Sequence, residues 1–243
     1  MKKAFLVCLI AIPVMAMAFV NASSEYLHER VKGSGVSKTE DRSVSGFSGV
    51  STSGVYNVVL TQGGAEAVKV EADDNLLPYI ETVVSGKSLE IKTKNGVNIE
   101  PKSKITVYVT IKELKAISAS GACKVTGTGT ISGSNLGVEL SGATLMNLDI
   151  AMSKVNVDAS GASRLDLTGK TGAVNVGASG AAIIRTEKLN ADNVNVDASG
   201  GSVVRVNAEK ALNVGASGGS SIRYSGAAKV NSSTSGGASV SRL

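Results

Sequence analysis

The chain has 243 residues, of which 42% are hydrophobic and 19% charged, with a formal net charge of +5. That balance excludes a flexible glycine/serine linker protein, and so mild a positive charge carries no footprint of nucleic-acid binding. Glycine is abundant (28 residues), aromatics are 3% and tryptophan is absent, so the interior has to be filled by Val, Ile, Leu and Ala.

Residues 1–22 read as a secretory signal. Lys2 and Lys3 precede an apolar run from Ala4 to Val20, and Val20-Asn21-Ala22 places small residues for cleavage after Ala22. The run is barely long enough to span a bilayer and contains Pro13, which argues against a retained anchor. Cys8 sits too early to be a lipid-attachment cysteine. Loss of Lys2 and Lys3 leaves 23 basic against 20 acidic residues. It also leaves one cysteine, Cys123, which excludes an intramolecular disulfide. The expected location is therefore exported: periplasm, outer-membrane surface or extracellular.

Residues 23–44 are polar and read as a loose leader or cap. They contain His28, the chain's single histidine. A histidine-dependent triad and a histidine-rich metal site are thereby excluded, and no metal or cofactor is expected. Residues 45–243 read as one domain with an irregular front block (45–117) and regular repeats (118–243). The front block carries alternating strand-like stretches such as "GVYNVVLTQG", "SLEIKTKNG" and "KITVYVTI", with "DDNLLPYI" as one helical turn.

In the repeats a Ser-Gly dipeptide recurs with its glycine at Gly121, Gly142, Gly161, Gly180, Gly200, Gly218 and Gly236, at intervals of 18 to 21 residues. Such a period marks a solenoid. Before each corner the apolar residues alternate, as in Val155, Val157, Ala159 and Val194, Val196, Ala198, which is the strand period. The fold class expected is all-β: a right-handed parallel β-helix whose coils stack at about 4.8 Å. Glycine suits corners that approach closely or need positive φ.

The outward offsets then acquire meaning. Asn156, Asn175, Asn195, Asn213 and Asn231 fall five residues before the glycine and predict a stacked amide ladder. Three residues before it, Asp158, Gly177, Asp197 and Gly215 alternate, which reads as a device that keeps carboxylates two coils apart. Arg185, Arg205 and Arg223 fall five residues after it and form a basic stripe able to bind phosphate or carboxylate groups, or else a solubilising face. Cys123 replaces a small corner residue and lacks a histidine base, so it reads as packing. Asp158, Asp166 and Asp197 are the carboxylates a glycosidase reading would use, but sugar-stacking aromatics are scarce.

The order of "VKGSGVSKTEDRSVSGFSGVSTSGVYNVVLTQG", "VEADDNLLPYIETVVSGKSLEIKTK", the Ser-Gly repeats and "GGSSIRYSGAAKV" resembles the auto-transporter adhesin, head GIN domain family of Bacteroidetes and other two-membrane bacteria. The resemblance covers about residues 31–243. It implies an exported right-handed β-helix and an adhesive role, and it brings no catalytic residues. The reading is a noncatalytic adhesin-like or envelope-binding surface, with anionic glycan, lipopolysaccharide or another envelope or host surface component as partner and no nucleic acid. The alternatives are a carbohydrate-active β-helix enzyme and a purely structural envelope protein.

Overall fold

A computed structural model describes residues 29–243; the expected signal segment, Cys8 and His28 lie outside the described residues. The front block contains β1 (Glu29–Lys32), β2 (Ser37–Arg42), β3 (Gly49–Gly54), β4 (Asn57–Gln62), β5 (Ala67–Asp73), β6 (Ile80–Ser85), β7 (Ser88–Thr93), β8 (Val97–Glu100), β9 (Thr106–Ile111) and β10 (Ala116–Gly121). The repeats supply β11 (Lys124–Leu140), β12 (Leu145–Ala159), β13 (Arg164–Ala178), β14 (Ile183–Ala198) and β15 (Val203–Ala216). The last coils are β16 (Ser221–Ser225), β17 (Lys229–Thr234) and β18 (Ser239–Arg242). The protein is a β-solenoid of about 7 turns, 69% strand, and the one short helical element among the described residues is a 3-10 turn at Leu77–Tyr79.

Each long strand wraps around its coil. The first part of β11 pairs with β4 and its last part with β10, and β15 divides in the same way between β16 and β17. The solenoid therefore has a leading face, following each Ser-Gly corner, and a trailing face, preceding it. All pairings from β10 to β18 are parallel, so like residues stack. On the leading face Val125, Met146, Leu165, Ile184, Val204 and Ile222 form one buried column. Val138, Val157, Val176, Val196 and Val214 form another on the trailing face. Each such side chain contributes about 1.5–3 kcal/mol on burial, which is how a chain without disulfides or tryptophan is held together.

The corners interlock through backbone. The N–H following each corner glycine from Gly142 to Gly218 donates to the carbonyl of the corner glycine one coil back, as in Gly201 N–H to Gly180 O at 2.8 Å. Gly200 has φ +67°, and a Cβ there would lie 2.8 Å from that same Gly180 carbonyl oxygen. Both conditions demand glycine. Unequal coil lengths are absorbed opposite the corners: Asp166 pairs with Arg185 but Thr168 with Lys188, an extra residue that bulges β14.

At the front end the parallel stack continues through β3 and β4 and then closes antiparallel. β7 pairs in parallel with β3, and β6 runs antiparallel to β7; β9 pairs in parallel with β4, and β5 and β2 follow antiparallel. The polar segment expected as a loose leader or cap thus forms β1 and β2 from Glu29 onward, paired with β8 and β5. A polar clasp fastens it. Asn75 Oδ1 accepts the Ser34 N–H at 2.8 Å and Asn75 Nδ2 donates to Lys32 O at 2.8 Å. Buried Asp73 accepts the N–H groups of Lys102 and Ser103 at 2.8 and 3.3 Å. The opposite end is finished by polarity. Ser232 and Thr234 replace, in register, the core residues Val214 and Ala216, and Arg242 donates to Gly226 O at 3.1 Å.

Candidate functional site

The leading face places Arg185, Arg205 and Arg223 at directly paired positions on β14, β15 and β16. Their Cα atoms therefore recur at about the strand spacing of 4.8 Å. Arg223 is exposed, whereas Arg185 and Arg205 are half-buried with their Nε atoms turned inward and without a protein partner. The column is not uniformly basic. Asp166 precedes Arg185 in register and is bridged by Arg164 Nε at 3.1 Å, and Glu187, in the β14 bulge, approaches Arg205 to 4.0 Å. A shallow recess lined by Asp166, Thr168, Arg185, Glu187 and Lys188 opens beside it.

The trailing face is built differently. Asn175, Asn195 and Asn213 each donate an amide N–H to the Asn one coil back, at 2.8, 2.8 and 2.9 Å, so the bonded ladder runs from Asn156 to Asn213. Asn231 continues the register only. Beside the ladder runs a groove of about 480 Å³ lined by Glu139, Asp158, Gly177 and Asp197 and by corner serines including Ser160 and Ser179.

Asp158 and Asp197 stand two coils apart in register, as expected, but that spacing does not hold for the whole column. Glu139 pairs directly with Asp158, so two acids occupy adjacent coils. The two glycines also leave space that the neighbouring carboxylates use. A Cβ on Gly177 would lie 2.6 Å from Asp158 Oδ1, and one on Gly215 would lie 2.7 Å from Asp197 Oδ1. Each glycine leaves room for the carboxylate of the preceding coil to lie over the sheet.

The carboxylates of the glycosidase alternative do not converge. Asp158 faces the trailing groove while Asp166 lies on the leading face in its ion pair with Arg164, and Gly177 separates Asp158 from Asp197. Among the described residues there is no cluster of acids, Cys and His able to hold a metal ion. Cys123 is buried at its corner, its thiol 3.1 Å from the Ser120 carbonyl.

The corner column has a member that the repeat pattern missed. Gly54 pairs with Gly121, and the N–H of Ala122 donates to Gly54 O at 2.8 Å. The signal was present as Ser53-Gly54 preceded by Val50 and Thr52, but bulky Val55 and Tyr56 follow where the repeats have small residues. Tyr56 is buried, its hydroxyl 2.6 Å from Thr93 Oγ1, and burial pushes its pKa up to about 12.

A structure from Bacteroides fragilis NCTC 9343 described as a "putative adhesin" superposes with a TM-score of 0.82 at 21% identity, covering 88% of this chain and 100% of its own. A "putative lipid binding protein" from Parabacteroides distasonis ATCC 8503 gives 0.75 at 18% identity with the same coverage, 88% and 100%. A "putative adhesin" from that organism gives 0.71 at 20% identity, again covering 88% and 100%. At these identities the likeness establishes the fold. No curated protein matches the chain. The family model described as "Putative auto-transporter adhesin, head GIN domain" matches residues 46–228, which takes in the front-block coils, every Ser-Gly corner except the last and the whole arginine column; the chain belongs to that family.

Proposed function

We propose that the protein is an exported, noncatalytic binding surface for anionic glycan or lipopolysaccharide, with Arg185, Arg205 and Arg223 as its contact residues. The observation that carries this reading is their in-register placement on three neighbouring strands. Guanidinium groups carried on strands stacked at about 4.8 Å suit an extended polyanion that runs along the solenoid axis, because each can take a carboxylate or phosphate in bidentate fashion. The inward-turned Nε of Arg185 and Arg205 restricts these side chains, which lowers the entropy lost on binding. Export rests on the signal-like residues 1–22 and agrees with membership of an adhesin family.

The test is retention on immobilised lipopolysaccharide and on an anionic glycan across a salt gradient. Wild type is expected to bind at low salt and elute as salt rises. Replacing the three arginines with Gln is expected to abolish retention. Replacing Lys94, Lys104 and Lys112, exposed and outside any ion pair among the described residues, is the charge-matched control and is expected to bind nearly as wild type. Equal weakening in both triple variants would reduce the effect to diffuse charge and sink the assignment.

A further inference from the structure

Among the described residues the solenoid leaves several strand edges unpaired, and they are not alike. β2 carries Lys38, Glu40, Asp41 and Arg42 along its six residues; β17 is Lys229 followed largely by Asn, Ser and Thr; β18 ends in Arg242. Charges of this kind discourage strand addition. β6 reads Ile80-Glu81-Thr82-Val83-Val84-Ser85, pairs with β7 alone among the described residues, and exposes Val83 to 42%.

Its hydrogen-bonding pattern follows from the hairpin. Ser85 pairs with Ser88 across the two-residue turn Gly86-Lys87, where Gly86 has φ +60°. Residues flanking a two-residue turn exchange both of their backbone bonds, and such pairs alternate along the ladder. Ser85, Val83 and Glu81 therefore bond toward β7, while the N–H and C=O groups of Val84 and Thr82 point to the open edge. The side chains alternate correspondingly: Ile80 and Val84 pack toward the core and Val83 faces out.

We propose that β6 is a homodimer edge: two copies pair antiparallel through it on a two-fold axis at Val83. An antiparallel register centred there sets Thr82 opposite Val84 of the second copy, joining the residues whose groups are free on both sides and closing two such bonded pairs. Val83 meets its symmetry mate in a non-bonded pair, where side chains come closest, with Cα atoms about 4.5 Å apart. The same register sets the Glu81 end of each strand beside the Gly86-Lys87 turn of the other, giving opposite charges a diagonal relation. A second copy is the occupant this edge fits because one register satisfies its free donors, its exposed apolar side chain and its charges together, as an isologous interface requires.

The experiment is sedimentation of the whole chain over a concentration series, with oxidative cross-linking of single-cysteine insertions. Wild type is expected to dimerise reversibly, and Val83→Lys is expected to raise the dissociation constant by at least about tenfold with an unchanged melting curve. Val83→Cys is expected to cross-link under mild oxidation, because the spacing of a non-bonded pair lies within disulfide reach. Ser85→Cys is expected to cross-link no more than wild type, since its symmetry mate is displaced by several residues. A monomeric wild type at all concentrations, a Val83→Lys dimer of undiminished affinity, or preferential linking through Ser85→Cys would overturn the proposal.

Discussion

Replacing one glycine with alanine at two positions three residues apart in the repeat separates two reasons for glycine. Gly200 stands at a corner with φ +67°, and a Cβ there meets backbone: Gly180 O at 2.8 Å and Gly180 N at 3.0 Å. Left-handed backbone costs an L-residue about 1–2 kcal/mol. Forcing a methyl group into a packed site costs about 1–3 kcal/mol more. Gly200→Ala is therefore expected to lose about 2–5 kcal/mol, and at about 2–4 °C per kcal/mol for a chain of this size the midpoint falls by about 4–20 °C. Gly177 stands three residues before a corner in ordinary strand conformation, and its added Cβ meets only Asp158 Oδ1, at 2.6 Å. That carboxylate is solvent-facing and can swing away. Alanine also recovers about 0.5–1 kcal/mol of the entropy cost of glycine in a strand. Gly177→Ala is expected to be neutral within about 0.5 kcal/mol.

Far-UV circular dichroism melts of the two variants read the difference directly. Gly200→Asn divides the larger loss, because Asn tolerates left-handed backbone while still carrying a Cβ. Partial recovery would weigh the φ requirement against the coil-to-coil contact. Equal losses at Gly200 and Gly177 would refute the reasoning, since contact with a mobile carboxylate and contact with fixed backbone would then cost the same.

The amide ladder gives an internal comparison. Asn175 both donates to Asn156 and accepts from Asn195, each at 2.8 Å, whereas Asn156 only accepts, so Asn175→Ala is expected to cost about 1–2 kcal/mol and Asn156→Ala about half as much in the same melts. The front clasp gives a pH dependence. Burial alone would raise the pKa of Asp73, but the backbone N–H groups of Lys102 and Ser103, both donating to Oδ2, help hold the carboxyl below its ordinary 3.8. The unfolded chain then binds more protons in that window, so the contribution of Asp73 is full above about pH 4 and is lost as pH falls through the folded value. Asp73→Asn is expected to be less stable at neutral pH and to show a shallower acid loss, measured by denaturant titration at stepped pH; parallel acid limbs would contradict the assignment.

The repeats were legible because stacking forces recurrence. A coil whose neighbour lies about 4.8 Å away must place like residues at like offsets, so the valine columns and the corner glycines announce themselves as a period. The front block obeys the same stacking at Gly54 but has to close the core, and Tyr56, filling that end, replaces the small residue that would have marked a corner. In the front block, which lacks the repeat, strand direction left no trace, because a period of two is common to parallel and antiparallel pairs. The antiparallel pairing of β2 with β5 and of β6 with β7 therefore emerges only from the three-dimensional arrangement. The acidic column was legible only in part. Asp and Gly do alternate in register from Asp158 to Gly215, but Glu139, at the same offset one coil earlier, stands beside Asp158 and breaks the spacing.

Inward positions are held by packing and corner positions by backbone contact, which leaves the outward columns as the places where a coil can differ from its neighbours without unfolding. The column that holds the arginines runs Asn147, Asp166, Arg185, Arg205, Arg223 and Ser241, so its charge reverses within one strand step and then stays positive for three. A face serving solubility alone has no need of that sequence, since interspersed charge of either sign keeps sheets apart. The proposed polyanion contact would use it, because contiguous cations add their contacts along one ligand. Glu187, 4.0 Å from Arg205, is the acid such a ligand would have to displace, so on that proposal Glu187→Gln is expected to raise retention on an anionic column at low salt, and unchanged retention would count against the arginine column as the contact.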